Sequence, residues 1–309
     1  MQKAAATDGP VIVEAALNGG RTKAQNPHVP STSEELVADA LACLDAGASV
    51  IHTHSTDRTA DAARAAESYA EHFLPVLAAR PDALLCPTIV FDSPVEERIA
   101  HLELLARRTG LRIGLMEPGS GNLTPTDDDG LPTATTRTYV NTPFDVRYMA
   151  DRCREWGLGP SMVIFEPGFL RHTMAYYTAG QLPQGAFLRL TLCGGASYRG
   201  PGQVDLLFGL PNKPASLDTY VEMLGGAPIP WAVSVVSGDV FENGVARHAL
   251  ELGGHLRVGL EDYAGAAAPN NRELVERAVE LVRTSGRPLA TSADAARVLS
   301  LPEPRERLP

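Results

Sequence analysis

The chain has 309 residues, of which 44% are hydrophobic, and a formal net charge of -10 at pH 7. This acidic balance argues against a nucleic-acid partner, because phosphate binding needs a basic face. No stretch approaches the ~18 apolar residues of a membrane span, and the N-terminus has no apolar leader. The four scattered cysteines are typical of buried thiols in a reducing cytoplasm, where we expect the protein to be located.

The first half of the chain alternates apolar runs with helical patterns. A strand over Val11–Leu17 is followed by Thr32-Ser33-Glu34-Glu35, which predicts a capping box for a helix that ends at Gly47. The elements predicted after it are the strand 49–54, a helix over 60–79, the strand 83–86, a helix over 95–108 and the strand 111–116. Helix, glycine stop and apolar strand is the rhythm of a parallel sheet.

The second half opens with a long non-periodic stretch, Glu117–Pro143, and loops of this length in a compact domain are usually functional or disordered. A second glycine-rich loop covers Gly194–Gly202, and we expect both loops to determine specificity. The predicted strands of this half are 162–165, 187–193, 231–236 and 255–262, and the predicted helices are 144–157, 170–177, 214–224, 241–252, 270–284 and 292–299.

Eight strands, each followed by a helix, predict a TIM (β/α)8 barrel of the α/β class, with functional residues at the carboxyl ends of the strands. We expect residues 1–301 to form this single domain, with a metal site at that face, and residues 302–309 to form a flexible tail. A doubly wound open sheet is the competing architecture. It is disfavoured because no G-x-G-x-x-G turn follows the first strand.

Two histidines end the second strand. His52 and His54 lie at i and i+2, so both side chains project from the same face of the strand. Two imidazoles on one rigid edge form half of a divalent-metal site, for which zinc is the usual ion. The alternative is a pair of ordinary histidines, one capping the next helix and one bonded to the backbone.

The last strand offers the missing ligand. At a period of two, Arg257, Gly259 and Glu261 share one face and apolar residues share the other. The charged face suits the barrel mouth, and Gly259 leaves room between the two charges. Glu261 is the predicted third ligand, which gives a His-His-Glu site with one open position, as in catalytic zinc sites. A structural ion pair between Arg257 and Glu261 is the alternative.

Asp262 adjoins the predicted ligand but points elsewhere, and a carboxylate beside a metal suits a general base. Its alternative role is a helix N-cap.

Thr88, at the end of the third strand, is a candidate for binding a substrate carboxylate, or else a simple turn residue. Glu14 and Asn18 share a face of the first strand and are further candidate substrate-binding residues. Because a buried carboxylate needs a partner and the first strand of a barrel neighbours the eighth, Arg257 is the natural partner of Glu14.

These residues carry a resemblance to the β-keto acid cleavage enzymes, a family of zinc-dependent TIM barrels, over Val11 to Leu301. The most specific match is the stretch from Gly253 to Asp262. The other matching stretches are Asn26-Pro27, Val29-Pro30, Ala46-Gly47-Ala48, His52-Thr53-His54, Tyr139-Val140-Asn141-Thr142-Pro143, Phe208-Gly209-Leu210-Pro211, Trp231-Ala232-Val233 and Leu289-Ala290-Thr291.

The resemblance implies a reaction in which a β-keto acid and acetyl-CoA give acetoacetate and a new acyl-CoA. It implies zinc at His52, His54 and Glu261. It also implies that Asp262 is the base and that Arg257 assists it and steadies developing negative charge. Members of the family are usually tetramers, so the resemblance implies a homo-oligomer.

The chain departs from the family pattern at several positions. Thr56 stands where the family often has arginine, and Leu115 stands where the family has a substrate-contacting threonine. The fifth strand of the family usually reads Pro-Glu-x-Glu, and its second glutamate supports the arginine, whereas Val163 ends the matching stretch here. Glu14 replaces a small residue. We therefore predict that Glu14 has taken over the pairing with Arg257.

Two other functions compete with this one. A metal-dependent hydrolase or another carbon–carbon lyase could use the same barrel, but amidohydrolase-type sites place histidines on the fifth and sixth strands, which have none here. A non-catalytic zinc-containing barrel that binds a ligand is the second alternative. The set of Arg257, Glu261 and Asp262 favours an enzyme over it.

Overall fold

Eight short apolar runs form parallel strands in the computed structural model, which describes residues 8–57, 61–136, 138–195 and 207–304. The strands are β1 (Val13–Ala16), β2 (Val50–His52), β3 (Leu84–Cys86), β4 (Ile113–Leu115), β5 (Gly159–Ile164), β6 (Phe187–Cys193), β7 (Trp231–Val236) and β8 (His255–Val258). Their order in the sheet is β3-β2-β1-β8-β7-β6-β5-β4. Because β1 pairs with β8 and the outer strands β3 and β4 lie in contact, the sheet forms a nearly closed barrel, and the predicted fold is confirmed.

Helices follow the strands along the described parts of the chain. They are α1 (Ser33–Ala46), α2 (Ala62–Ala79), α3 (Val95–Thr109), α4 (Pro143–Trp156), α5 (Pro167–Thr178), α6 (Pro214–Leu224), α7 (Val245–Glu251), α8 (Asn271–Ser285) and α9 (Ser292–Val298). The predicted capping box at α1 is half formed. Thr32 accepts a hydrogen bond from the Glu35 backbone, but the Glu35 carboxylate accepts from Ser31 N at 2.7 Å instead of from Thr32.

Some predicted boundaries are wrong for local reasons. The predicted helix 241–252 is divided into a 3-10 turn and α7, because Asn243 and Gly244 have left-handed backbone angles. β5 begins three residues before the predicted strand 162–165, because Gly159, Pro160 and Ser161 already pair with β4. β8 ends at Val258, four residues before the predicted end, because φ of the next residue is +137°.

The two faces of the strands bury different chemistry. In β1, Val13 and Ala15 belong to the apolar core, whereas Glu14 between them is 1% exposed and ion-paired. The barrel interior therefore contains charged groups, while the apolar core packs against the helices. None of the described helices is both long and apolar enough to cross a membrane.

The predicted functional loops are described in part. Within Glu117–Pro143, Gly121 pairs with Tyr139 as a short antiparallel bridge, so this loop doubles back on itself. Most of the predicted Gly194–Gly202 loop lies outside the described residues. In the predicted tail, the Pro302 carbonyl accepts a hydrogen bond from Arg112 Nε at 2.8 Å, and residues 305–309 lie outside the described part of the chain.

Candidate metal centre

His52, His54 and Glu261 meet at the carboxyl end of the strands. Glu261 Oε2 lies 3.2 Å from His52 Nε2, and Glu261 Oε1 lies 3.4 Å from His54 Nε2. One ligand atom from each residue lies within 4.8 Å of the others. The two imidazole rings are perpendicular, with centroids 5.3 Å apart. These three side chains present two nitrogens and a carboxylate to a common point.

The donor set fits a divalent cation. Glu261 Oε2 is buried, and the described residues offer it no hydrogen bond of acceptable geometry. Burial lowers the pKa of His52 to about 4, so this imidazole is neutral at pH 7. Burial would raise the pKa of Glu261, but Arg257 and the two histidines outweigh it and lower this pKa well below its usual value. Neutral imidazole and ionised carboxylate are the forms that bind metal.

Two glycines allow Glu261 to reach the histidines. Beyond Val258 the chain turns, and the Glu261 N–H donates to Ala16 O at 3.2 Å. A Cβ on Gly259 would lie 2.1 Å from Ala16 O, and one on Gly19 would lie 2.2 Å from Glu261 Cγ. The strand periodicity predicted for Glu261 is therefore wrong, since a turn positions it, and the space at Gly259 is filled by the β1 backbone.

Asn18 is committed to the backbone of His54. Its Nδ2 donates to His54 O at 3.1 Å, and its Oδ1 accepts from His54 N at 2.8 Å. Asn18 is 4% exposed, so little of its amide remains for a ligand. Asn18 was predicted to bind substrate. In the structure its side chain bonds the backbone of His54, a candidate metal ligand.

Arg257 joins three carboxylates inside the barrel. Its Nη2 lies 2.9 Å from Glu261 Oε1, its Nε donates to Asp262 Oδ2 at 2.8 Å, and its Nη1 donates to Glu14 Oε1 at 2.7 Å. Arg257 and Glu14 are also direct partners in the β1–β8 register. The predicted pairing of Glu14 with Arg257 is confirmed. In its ion pair with Arg257, Glu261 uses only Oε1. Oε2 remains to bind a metal ion, so the ion pair and metal binding are compatible.

A second arginine holds Glu14, and the sequence analysis missed it. Arg189 of β6 is 2% exposed, and its Nη1 donates to the same Glu14 Oε1 at 3.1 Å. Burial would raise the pKa of Glu14, but Arg189 and Arg257 outweigh it and lower this pKa. The sequence does contain a pattern that could have indicated Arg189. It is a charged residue within an apolar strand, the same pattern that indicated Glu14. Arg189 also lies in register with Val163, the position at which the family's acid is missing.

Asp262 lies beside the candidate ligands and is 5% exposed. Burial, together with the neighbouring Glu261 charge, raises its pKa against the opposing effect of Arg257. The alternative role as a helix N-cap is wrong, because α8 begins at Asn271 and is capped by Asn270. A buried carboxylate with a raised pKa beside a metal site suits proton transfer.

Thr88 follows β3 and is half-buried. Its N–H donates to Tyr69 Oη at 3.0 Å, and its carbonyl accepts from His101 Nε2 at 2.8 Å.

A further buried acid, Glu117, accepts a hydrogen bond from Tyr139 Oη at 2.6 Å, and burial raises its pKa. Glu117 was not predicted as a site residue, because in the sequence it only marks the start of a long loop.

An open cavity of about 680 Å³ lies between the loops that follow β3 and β4. Phe91 and Tyr139 are among its lining residues. The Phe91 ring also lies 6.5 Å from the His54 ring, so one residue that lines the cavity neighbours one candidate metal ligand.

Comparison with known proteins gives consistent results. The family model described as beta-keto acid cleavage enzyme matches residues 10–301. The 3-keto-5-aminohexanoate cleavage enzyme of Fusobacterium nucleatum subsp. nucleatum is 27% identical over 300 residues, which cover 94% of this chain and 98% of that enzyme. The 3-dehydrocarnitine:acetyl-CoA trimethylamine transferase of Rhizobium meliloti is 28% identical over 321 residues, with 94% and 96% covered.

Among solved structures, the apo structure of ObcA matches with a TM-score of 0.66 at 16% identity. The match covers 89% of this chain but 66% of the length of ObcA. At this identity the likeness supports the barrel fold alone.

Proposed function

The chain belongs to the β-keto acid cleavage enzyme family and is an enzyme, and from that premise we propose that it transfers an acyl group between a β-keto acid and acetyl-CoA. In the proposed reaction, R–CO–CH2–COO⁻ and acetyl-CoA give acetoacetate and R–CO–CoA. The C–C bond between the R–CO group and the CH2 group breaks, and so does the C–S bond of acetyl-CoA. The CH2 carbon forms a new C–C bond with the acetyl carbonyl carbon, and the CoA sulfur forms a new thioester bond with the R–CO group. The observation that carries the proposal is the convergence of three candidate metal ligands with the Arg257–Asp262 pair.

His52, His54 and Glu261 are the proposed ligands of a divalent cation, and zinc is the proposed ion because imidazole and carboxylate are common ligands of catalytic zinc. Such a cation, when bound, acts as a Lewis acid on the keto group of the substrate. Asn18 holds the backbone of His54, and Arg257 holds one oxygen of Glu261, so both ligands are oriented by neighbouring side chains.

Asp262 is the proposed base. The methylene group between the two carbonyls of a β-keto acid is the acidic position of the substrate. Arg257 Nε holds Asp262 Oδ2, which leaves Oδ1 to accept the proton. The positive charge of Arg257 also steadies the negative charge that develops as the proton leaves. Glu14 of β1 accepts a hydrogen bond from the other end of the guanidinium, Nη1.

We extend the proposal to the remaining predictions, which come from the sequence and, for the tetramer, from the family resemblance. Thr88 contacts the substrate carboxylate, and residues 1–301 act as one domain of a cytoplasmic homotetramer. Both β-keto acid and acetyl-CoA enter at the carboxyl end of the strands, where the cavity beside Phe91 opens.

The test combines metal content with turnover. Mass spectrometry of the purified protein is expected to find about one zinc ion per chain, as in other sites of this ligand set. A panel of β-keto acids with acetyl-CoA is expected to yield acyl-CoA with at least one member. Asp262→Asn should retain the metal but lose at least about 100-fold in kcat, as expected for a general base. Asp82→Asn, in the exposed turn before β3, is the control.

The outcomes separate the parts of the proposal. Protein that takes up no divalent ion even when zinc is added would remove the metal site. A zinc-loaded protein that makes no acyl-CoA from any keto acid would contradict the acyl transfer. Full activity of Asp262→Asn would exclude this residue as the base.

A further inference from the structure

A tyrosine and two histidines lie directly behind the candidate metal centre. Tyr69 and His72 belong to α2 and His101 belongs to α3. Their exposed fractions are 1%, 2% and 0%. The ring of Tyr69 stacks on that of His101 with centroids 5.7 Å apart. Polar groups at this depth need specific partners.

The partner on one side is Thr53, which lies between the two candidate histidine ligands and is 1% exposed. Its N–H donates to Cys86 O at 3.1 Å, and its carbonyl accepts from Tyr69 Oη at 3.4 Å. Its hydroxyl lies 3.0 Å from His72 Nε2. All three polar groups of Thr53 are therefore bonded, two of them to α2.

The bonds of His72 have a defined direction. Its Nδ1 lies 3.0 Å from Ser68 O, and a carbonyl can only accept, so Nδ1 carries the hydrogen. In the neutral ring Nε2 is then an acceptor, and the Thr53 hydroxyl donates to it. Burial lowers the pKa of His72 to about 4, which keeps this form at neutral pH.

The same tyrosine also bonds the neighbouring strand. Tyr69 Oη accepts from the Thr88 N–H at 3.0 Å while it donates to Thr53 O. Thr88 is further held by His101, whose Nε2 donates to Thr88 O at 2.8 Å. One hydroxyl thus joins the chain just beyond β2 to the chain just beyond β3. The first segment carries the candidate metal ligands and the second carries the candidate substrate residue.

We propose that Tyr69 is a positioning residue that couples the two halves of the site. Its hydroxyl fixes the peptide between His52 and His54 relative to Thr88, and His72 holds the Thr53 side chain in place. Asn18, just beyond β1, also bonds the backbone of His54, so this segment is held both from the end of β1 and from α2. The proposal rests on the proposed function, because it presumes a metal at His52, His54 and Glu261.

Tyr69→Phe is the test, because it removes the hydroxyl and leaves the buried ring. Tyr220→Phe is a matched control. Tyr220 of α6 is 0% exposed, and its Oη donates to Phe165 O, just beyond β5, at 3.4 Å. Zinc affinity is measured by chelator competition, and KM for the β-keto acid is measured with the zinc-loaded proteins. We expect Tyr69→Phe to bind zinc about 10–100-fold more weakly, as for other groups that orient ligands, and to raise KM. We expect Tyr220→Phe to match the wild type in both.

The zinc affinities of the two variants and the wild type test the positioning role of Tyr69. Equal zinc affinity in Tyr69→Phe and the wild type would overturn the positioning role while leaving the metal site intact. Equal weakening in both tyrosine variants would also overturn it, because the effect would then be general destabilisation. If the wild type itself takes up no zinc, the proposed function fails first, and this proposal fails with it.

Discussion

At the scale of single residues, the charges in the barrel interior form one connected set. Arg189 bonds Glu14, Glu14 bonds Arg257, and Arg257 bonds Glu261 and Asp262. When all five are ionised, three carboxylates face two guanidinium groups and the set carries one net negative charge. Buried charge needs compensation. A divalent cation would reverse the sign to one positive charge, which suits a substrate with one carboxylate.

Arg189→Met tests this charge balance. The substitution leaves the Glu14 carboxylate to Arg257 alone, and removing one partner of a buried ion pair costs about 3–5 kcal/mol of stability. Glu14→Gln in the same chain removes the uncompensated charge, so the double variant should be more stable than Arg189→Met alone. Denaturant unfolding of the metal-free proteins measures both effects.

The control for this prediction is Arg64→Met. Arg64 pairs with Asp57, and its side chain is 64% exposed. Loss of such a surface pair should cost less than about 1 kcal/mol. A double variant no more stable than Arg189→Met would show that the interior charges do not compensate one another.

At the scale of elements, the turns that follow β1 and β8 fit together only through glycine. Gly259 has φ of +137° and lies against the carbonyl of Ala16, and Gly19 lies against the Glu261 side chain. Glu261 and Asp262 follow Gly259 by two and three residues. The backbone conformation at this one position therefore determines where the carboxylates of the site lie.

Gly259→Ala should displace this turn. An added Cβ would meet backbone atoms of β1, which cannot move aside as a flexible side chain can. We expect loss of zinc binding in chelator competition and loss of turnover. Gly286→Ala is the matched control, since Gly286 also has positive φ, +79°, but has open space around its Cβ position. It should lose about 1–2 kcal/mol of stability and retain zinc. Normal zinc affinity in Gly259→Ala would contradict the role assigned to the turn.

At the scale of the whole molecule, buried histidines make the fold sensitive to acid. Burial lowers the pKa of His72 and His101 to about 4 and that of His255 to about 3, from 6.5. Between these values the unfolded chain binds protons that the native protein does not bind. Stability is therefore fully present above pH 6.5 and falls as the pH drops toward 4.

The expected slope is about 1.4 kcal/mol per pH unit for each such histidine. We expect the free energy of unfolding of the metal-free protein, measured by denaturant at a series of pH values, to fall steeply between pH 6.5 and 4. His101→Gln should reduce the slope by the contribution of one histidine, while glutamine can still donate to Thr88 O. Thr219→Ser, at an exposed position that does not titrate, is the control and should leave the slope unchanged. An unchanged slope in His101→Gln would contradict the prediction.

The sequence determined the barrel and most of the candidate site. Alternating apolar runs and helix stops are local patterns, so they predicted eight strands, although not all of the strand boundaries. The i, i+2 spacing of His52 and His54 predicted a shared face, and barrel closure predicted that Glu14 would meet Arg257. These inferences held because each depends on a short stretch or on the neighbouring order of two strands.

Only the tertiary structure decided which distant polar groups meet. Arg189 reaches Glu14 from β6, and Tyr69 reaches Thr53 and Thr88 from a helix, over separations that no local periodicity encodes. Glu261 is the intermediate case. It was predicted from strand periodicity, yet a glycine turn placed against β1 brings it to the histidines. The physical reason is the same throughout: sequence patterns report which face a residue occupies, whereas partners of buried charge are set by how separate elements pack.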